Sequence, residues 1–286
     1  IFPNRGLQMW ATPDPLFAQA MCRVYNDWTW EVFGEHYDQM RPMACISTGD
    51  VPSAIAEIER SAKLGFRGLS LPCKPAWGPG SAEDLNYNLP EFDPMWERIQ
   101  ELDLPFTFHV STGKDPRAAR GNGGAVINYV IHSLAPTAEP IVNLCSSGVL
   151  DRFPNLRFAS IEAGIGWIPW MLRAMDEAYE HHHFWAFPKL KMMPSDYFRQ
   201  HCFASFQEDP PGIDLMRDYN LGDNFMWAND YPHHEGSWPH SEQAIERTMS
   251  GLSDEERAKV LGLNAARFFG FDVERFVANR PAMSPA

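Results

Sequence analysis

Apolar residues in this chain come in short bursts separated by longer stretches of helical spacing. The bursts lie at 43–46, 66–71, 105–110 (PFTFHV), 156–164 (LRFASIEAG), 202–209 (CFASFQED) and 225–228. Each is short and bounded by turn residues, which predicts a buried strand. Between them the period changes. Asp14-Pro15 supplies an N-cap and a proline at the first helical position, after which Phe17, Ala20, Met21, Val24 and Trp28 recur on one helical face. Asp50 caps a helix carrying Ile55, Ile58 and Ala62, and Gly65 ends it. Asp93-Pro94 starts another with Trp96, Ile99 and Leu102, and residues 167–179 and 213–219 read as two more. The last begins at Ser253 with Glu256 three residues on, a capping box.

Strands alternating with helices some six or seven times imply a parallel sheet with helices outside it. No glycine-rich phosphate fingerprint follows any strand. The expected fold is therefore an α/β (β/α)₈ barrel, one domain over 1–286, rather than a doubly wound sheet. The Pro/Gly/Asn-rich segment PCKPAWGPGSAEDLNYNLPEF is long for a connection, and loops of that length are often functional. It carries Lys74, Trp77 and Tyr87, read here as a lid that binds substrate over the barrel mouth.

Composition narrows the class. Of 286 residues, 44% are hydrophobic and 21% charged, as in globular proteins, and the formal charge of −13 opposes non-specific binding to nucleic acid or an anionic membrane. No apolar run is long enough to span a bilayer. The five cysteines are scattered without a CxxC pair, which points to reduced thiols in a cytoplasmic protein. Ten tryptophans and nineteen phenylalanines fill a large core; any that line the mouth favour a small apolar or aromatic substrate.

Candidate chemistry sits at the strand ends, where a barrel carries its active site. His109 lies in TFHVSTG, Glu162 in FASIEAG, Gln207, Glu208 and Asp209 in FASFQED, and Asp230 in FMWAND, with His233 just beyond. One strand histidine alone reads as a satisfied core residue, and one carboxylate as a helix cap. Successive strands ending this way point to a site, because each buried ionisable group costs several kcal/mol unless paired or metal-bound. Imidazole and carboxylate at one mouth suit a divalent transition metal, Zn²⁺ first and Fe²⁺ or Mn²⁺ as alternatives. Such a metal activates water, and Asp230 could take the proton. His233 is read as a substrate or supporting contact. The run His181–His183 cannot converge on one ion, since consecutive helical residues point about 100° apart; it reads as a helix end.

The segments LPFTFHVSTG, SGVLDRFPNLRFASIEAGIGWIPWML, FASFQED, ANDYPHHEGSWP and VLGLNAARFFGF resemble, in order, the amidohydrolase superfamily. The similarity is to its amidohydrolase-2 group, which includes aminocarboxymuconate-semialdehyde decarboxylase. The resemblance implies a metal-centred barrel with His109 as a ligand and Asp230 as metal-adjacent carboxylate and proton shuttle. It also implies a tendency to form homo-oligomers. Two departures stand out. Decarboxylases of that group carry a catalytic histidine where this chain has Glu162, and their first strand bears a metal-binding HxH or ExH pair that is missing here. Ile1-Phe2-Pro3 reads as the end of a strand, so roughly 60–100 residues including the first strand are expected to be absent. Glu162 is read as a catalytic residue that could be a ligand, a base, or an acid if burial raises its pKa, and a carboxylate there tilts the expectation to a metal-dependent hydrolase of an amide, ester or thioester. The alternatives are a non-oxidative decarboxylase of an aromatic or unsaturated acid, and a barrel that has lost its metal and its catalysis.

Overall fold

Every apolar burst contributes a strand in the computed structural model, which describes residues 1–3, 5–76, 85–112, 118–182 and 188–278. The strands are β1 (Ala44–Cys45), β2 (Leu69–Leu71), β3 (Phe106–His109), β4 (Phe158–Ile161), β5 (Cys202–Phe206) and β6 (Phe225–Trp227). They form one sheet in the order β1 to β6, every neighbouring pair parallel. Sequential parallel order with helical crossovers is the wall of a (β/α) barrel. Six strands of the expected eight are seen among the described residues, with β1 and β6 as its edges. Residues 1–3 run beside 41–43, Met43 donating to the Ile1 carbonyl at 3.1 Å, without joining the sheet as a strand.

Helix α1 (Pro15–Phe33) precedes the sheet, and α2 (Val51–Leu64) and α3 (Asp93–Glu101) make the first two crossovers. Three helices, α4 (Gly124–Tyr129), α5 (Ala138–Ser146) and α6 (Val149–Arg152), link β3 to β4. Then α7 (Ile168–His182) and α8 (Pro194–His201) lead to β5, and α9 (Pro210–Leu215) to β6. After β6 come α10 (Ser241–Met249), α11 (Asp254–Ala258) and α12 (Asn264–Phe269). The expected caps are present: Asp14 accepts from Leu16 and Phe17, Asp50 from Ser53, and Ser253 and Glu256 close a reciprocal box. His181 and His182 occupy the last turn of α7, while His183 lies outside the described residues.

Strand register sorts the side chains into two faces. Ala44, Leu69, Phe106, Phe158 and Cys202 are register partners and all belong to the main core under the helices. One position on, Cys45, Ser70, Thr107, Ala159 and Phe203 share the other face, and His109 pairs with Ile161 there. In the β4–β6 half this inner face is apolar: Ala159, Ile161, Phe203 and Met226 pack against Phe268, with Phe2, Ala265 and Phe269 beside them.

Helix α1 forms where its spacing predicts, and its apolar stripe points outward, with Phe17, Val24 and Trp28 each more than half exposed. The buried side is Ala18, Gln19, Cys22, Asn26 and Thr29. The reason lies in β1, an edge strand whose free backbone groups need partners. Asn26 supplies them: its Nδ2 donates to the Cys45 carbonyl at 2.9 Å and its Oδ1 accepts from Cys45 N–H at 2.7 Å. Gln19 Oε1 accepts from Ser47 N–H at 3.0 Å. The polar face is thus drawn inward by hydrogen bonding. One expectation is corrected: Tyr87 is no lid residue. It is fully buried among Phe92, Trp96 and Phe108 on the helix side, its hydroxyl donating to the Pro72 carbonyl at 2.7 Å. Trp77 lies outside the described residues.

Candidate metal and acid–base site

At the C-terminal ends of β3 to β6 a cavity of about 480 Å³ opens, lined by His109, Glu162, Gln207, Asp230 and His233 together with apolar side chains. His109 closes β3 on the inner face. Its side chain is almost wholly buried, and its ring lies against Phe2 with centroids 5.1 Å apart. Nδ1 stands 2.9 Å from the Val110 carbonyl. A carbonyl only accepts, so Nδ1 carries the proton, and Nε2 is the nitrogen left for a ligand or a further proton.

Glu162 and Asp230 follow the ends of β4 and β6, and both adopt left-handed backbone conformations, with φ of 62° and 58°. Side chains other than glycine rarely do so, and such strain concentrates where function needs a particular direction. Neighbours hold each turn in place. The Glu162 N–H donates to Ser205 Oγ at 2.9 Å. Beyond Asp230, His233 N–H donates to the Asp230 carbonyl at 2.8 Å. Gly236 packs against this turn so closely that a Cβ would stand 2.6 Å from the Asn229 carbonyl oxygen, which is why no larger residue fits.

The carboxylates are crowded. Glu162 Oε2 lies 3.1 Å from His109 Nε2. Burial, then the Glu162 charge, raises the Asp230 carboxyl above the ordinary carboxylate range; His233, a hydrogen bond from Gln207 and His109 oppose the rise. Asp230 Oδ2 is buried without a hydrogen-bond partner. His233 Nδ1 is 3.8 Å from that oxygen and 3.2 Å from Glu235 Oε1. The Tyr129 phenol at the end of α4 is pushed up by burial and by the charges of Glu235, Glu162 and Asp230, so it stays a hydrogen-bond donor.

This donor set fits a divalent metal in kind. It offers an imidazole oriented through its other nitrogen to a carbonyl and two carboxylates, one of which, Asp230, keeps a buried oxygen without a partner. In number it falls short: among the described residues no three His, Cys, Asp or Glu side chains are gathered closely enough to hold an ion.

Four of the six residues expected at the site, His109, Glu162, Asp230 and His233, line this cavity; Tyr87 does not, and Trp77 is not described. Asp209, another strand-end candidate, has a structural task. Its carboxylate accepts from the N–H groups of Ile165, Gly166 and Gly212, tying the β4–α7 turn to the start of α9. Gln207 was visible as a strand-end polar residue. Phe2 and Phe269, which wall the cavity, carried no signal, because each reaches the mouth from a remote part of the chain.

A family model described as amidohydrolase matches residues 12–271. The gamma-resorcylate decarboxylase of Rhodococcus jostii (strain RHA1) is 27% identical over 279 residues, covering 92% of this chain and 80% of that one. Among solved structures, 5-carboxyvanillate decarboxylase from Sphingomonas paucimobilis superposes with a TM-score of 0.73 at 26% identity, covering 94% of this chain and 77% of that one. A dihydroxybenzoic acid decarboxylase from Polaromonas sp. JS666, with bound manganese and the inhibitor 2-nitroresorcinol, gives 0.69 at 23% identity. There the coverage is 92% of this chain and 78% of that one.

Proposed function

This chain belongs to the amidohydrolase family, and on that premise we propose that it is a metal-dependent, non-oxidative decarboxylase of a small aromatic carboxylic acid. One observation carries the reading: a single cavity joins His109, Glu162 and Asp230 to walls of Phe2, Ile161, Phe206, Met226, Trp227 and Phe269. A flat ring is the cargo such walls suit, and the ionisable cluster suits its polar end. The decarboxylases among the relatives support the same reading.

Decarboxylation breaks the bond between ring carbon and carboxyl carbon, releases CO₂ and leaves an electron pair on the ring that must take up a proton. Asp230 is the residue we assign to that proton, because its carboxyl lines the cavity with Oδ2 buried and unpartnered. The apolar walls hold the ring and exclude water. A divalent metal, Mn²⁺ or Zn²⁺ by the chemistry of these donors, would be held by His109 Nε2 beside Asp230; when bound it would neutralise the site carboxylates and anchor the substrate's acid group. The five cysteines, all buried and free, support a reducing, cytoplasmic setting.

Hydrolysis through activated water is the second reading. It is favoured by Glu162, a carboxylate rather than a cation beside the cavity. Product analysis separates the two. Protein loaded with Mn²⁺ and incubated with 2,6-dihydroxybenzoate, 5-carboxyvanillate and related hydroxybenzoates should release CO₂, and Asp230→Asn should abolish it. Release of a carboxylic acid from esters or amides, with no CO₂ from any benzoate, would establish the second reading instead.

A further inference from the structure

We propose that helix α4 and the π-helical turn that continues it, Val130–Leu134, are the face through which two copies of this chain associate. The inference does not depend on the reaction assigned above. Along 125–131 the usual sorting of a surface helix is inverted. Val126 is 68% exposed, and Ile127, Tyr129, Val130 and Ile131 are each more than two-fifths exposed. Asn128, the one amide side chain of the stretch, is half-buried and turned back on its own chain. Its Oδ1 accepts from Ala119 N–H at 2.8 Å and its Nδ2 donates to the Ala119 carbonyl at 3.0 Å. A helix that is apolar on most of its sides is normally buried. Exposed apolar residues scattered singly are ordinary, but five between 126 and 131 make a patch.

Charge points to the occupant. Residues 121–138 contain no Asp, Glu, Lys or Arg, the longest such run in the chain. The centres of protein interfaces are depleted in charge in the same way. The chain as a whole carries a formal −13, so a face that keeps its share of carboxylates sets two copies repelling. A twofold contact lays one patch against itself, and a charge-free patch does so without opposing like charges. A membrane surface is the poorer match, because helices that lie in one carry Lys or Arg on their polar face and this segment has neither. A stable pair needs roughly 20–30 residues from each copy, and the charge-free run comes close to that by itself. The other outward apolar stripe, on α1, is flanked by exposed Arg23, Asp27 and Glu31.

Sedimentation equilibrium of the 286-residue chain tests the proposal, using wild type, Val126→Glu, Val130→Glu and, as a control on α1, Val24→Glu. Wild type should sediment at twice its 32.5 kDa mass at micromolar concentration. Either patch variant sets like charges against each other in the contact and should weaken association by at least about 100-fold. Circular dichroism checks that each variant folds, and Val24→Glu should pair as wild type does. Added salt should tighten the pair, since screening lowers the repulsion between two acidic copies. Wild type that stays monomeric overturns the proposal, as does a Val126→Glu or Val130→Glu chain that still pairs normally. Dissociation by Val24→Glu alone would move the contact to α1, and an association that salt weakens would mean ion pairs hold it; either result overturns the proposal. Binding of monomeric wild type to phosphatidylcholine vesicles, lost in Val126→Glu, would assign the face to a membrane instead. Should neither patch variant fold, hydrogen exchange of wild type decides: amides of 124–134 should slow as the chain is concentrated, and exchange independent of concentration overturns the proposal.

Discussion

Burial and the neighbouring Glu162 charge raise the Asp230 carboxyl, so the folded, metal-free protein binds a proton there more tightly than the unfolded chain does. The sign follows directly: stability from this group is highest in acid, falls as pH rises from the ordinary carboxylate range through the raised value, and stays lower above it. Asp230→Asn removes that penalty. The variant should melt above wild type at pH 7 while losing turnover, and the gain should vanish near about pH 4, where an ordinary carboxyl protonates. Thermal scans across that range check it; a lower melting temperature at pH 7 would mean that the carboxylate is already compensated. Asp230 was legible in the sequence because an apolar strand that ends on a carboxylate is costly without a purpose. Tyr87 was not. An aromatic residue in a long loop reads the same whether it hangs over the mouth or folds back into the core, and only packing against Phe92, Trp96 and Phe108 settles which.

At the level of elements, α1 shows where periodicity stops being informative. Its caps and length are written in Asp14-Pro15 and the helical spacing of Phe17, Val24 and Trp28, yet the side it buries is set by the hydrogen-bonding needs of β1. No local pattern announces that a strand will be an edge. Asn26→Leu should therefore destabilise the fold despite adding apolar area. It strands the N–H and carbonyl of Cys45 and removes a bond to Glu57 Oε1, for a cost of about 1–3 kcal/mol. Denaturant unfolding measures this directly, and an unchanged midpoint would show that β1 does not depend on the helix. The strands themselves were easier to read. Each apolar burst contains one, but the ladders are shorter than the bursts because their ends turn into the loops that carry the site.

For the molecule as a whole, the parallel sequential sheet follows from βα alternation and the right-handed crossover rule, so the barrel wall was legible and its site-bearing end with it. Which remote residues wall the mouth was not, since Phe2 and Phe269 arrive there only by folding. A metal that binds the native state alone should stabilise everything at once. Mn²⁺ at about 100 times its Kd is expected to add about 2.7 kcal/mol, a rise of roughly 5 °C in Tm that EDTA reverses. Calorimetric scans with and without Mn²⁺ test this, and an unmoved Tm would leave the native state without a metal site of that affinity. The left-handed turns at Glu162 and Asp230 have one more outcome. Each asks an L-residue to hold a shape that glycine takes freely, at a cost of about 1–3 kcal/mol. A mutant library selected for heat resistance alone, blind to turnover, should therefore erode positions 162 and 230, along with Asp103, Ser111 and Asn220, which share the left-handed backbone. The strained positions whose replacement also costs turnover would separate the chemistry of the protein from its turns.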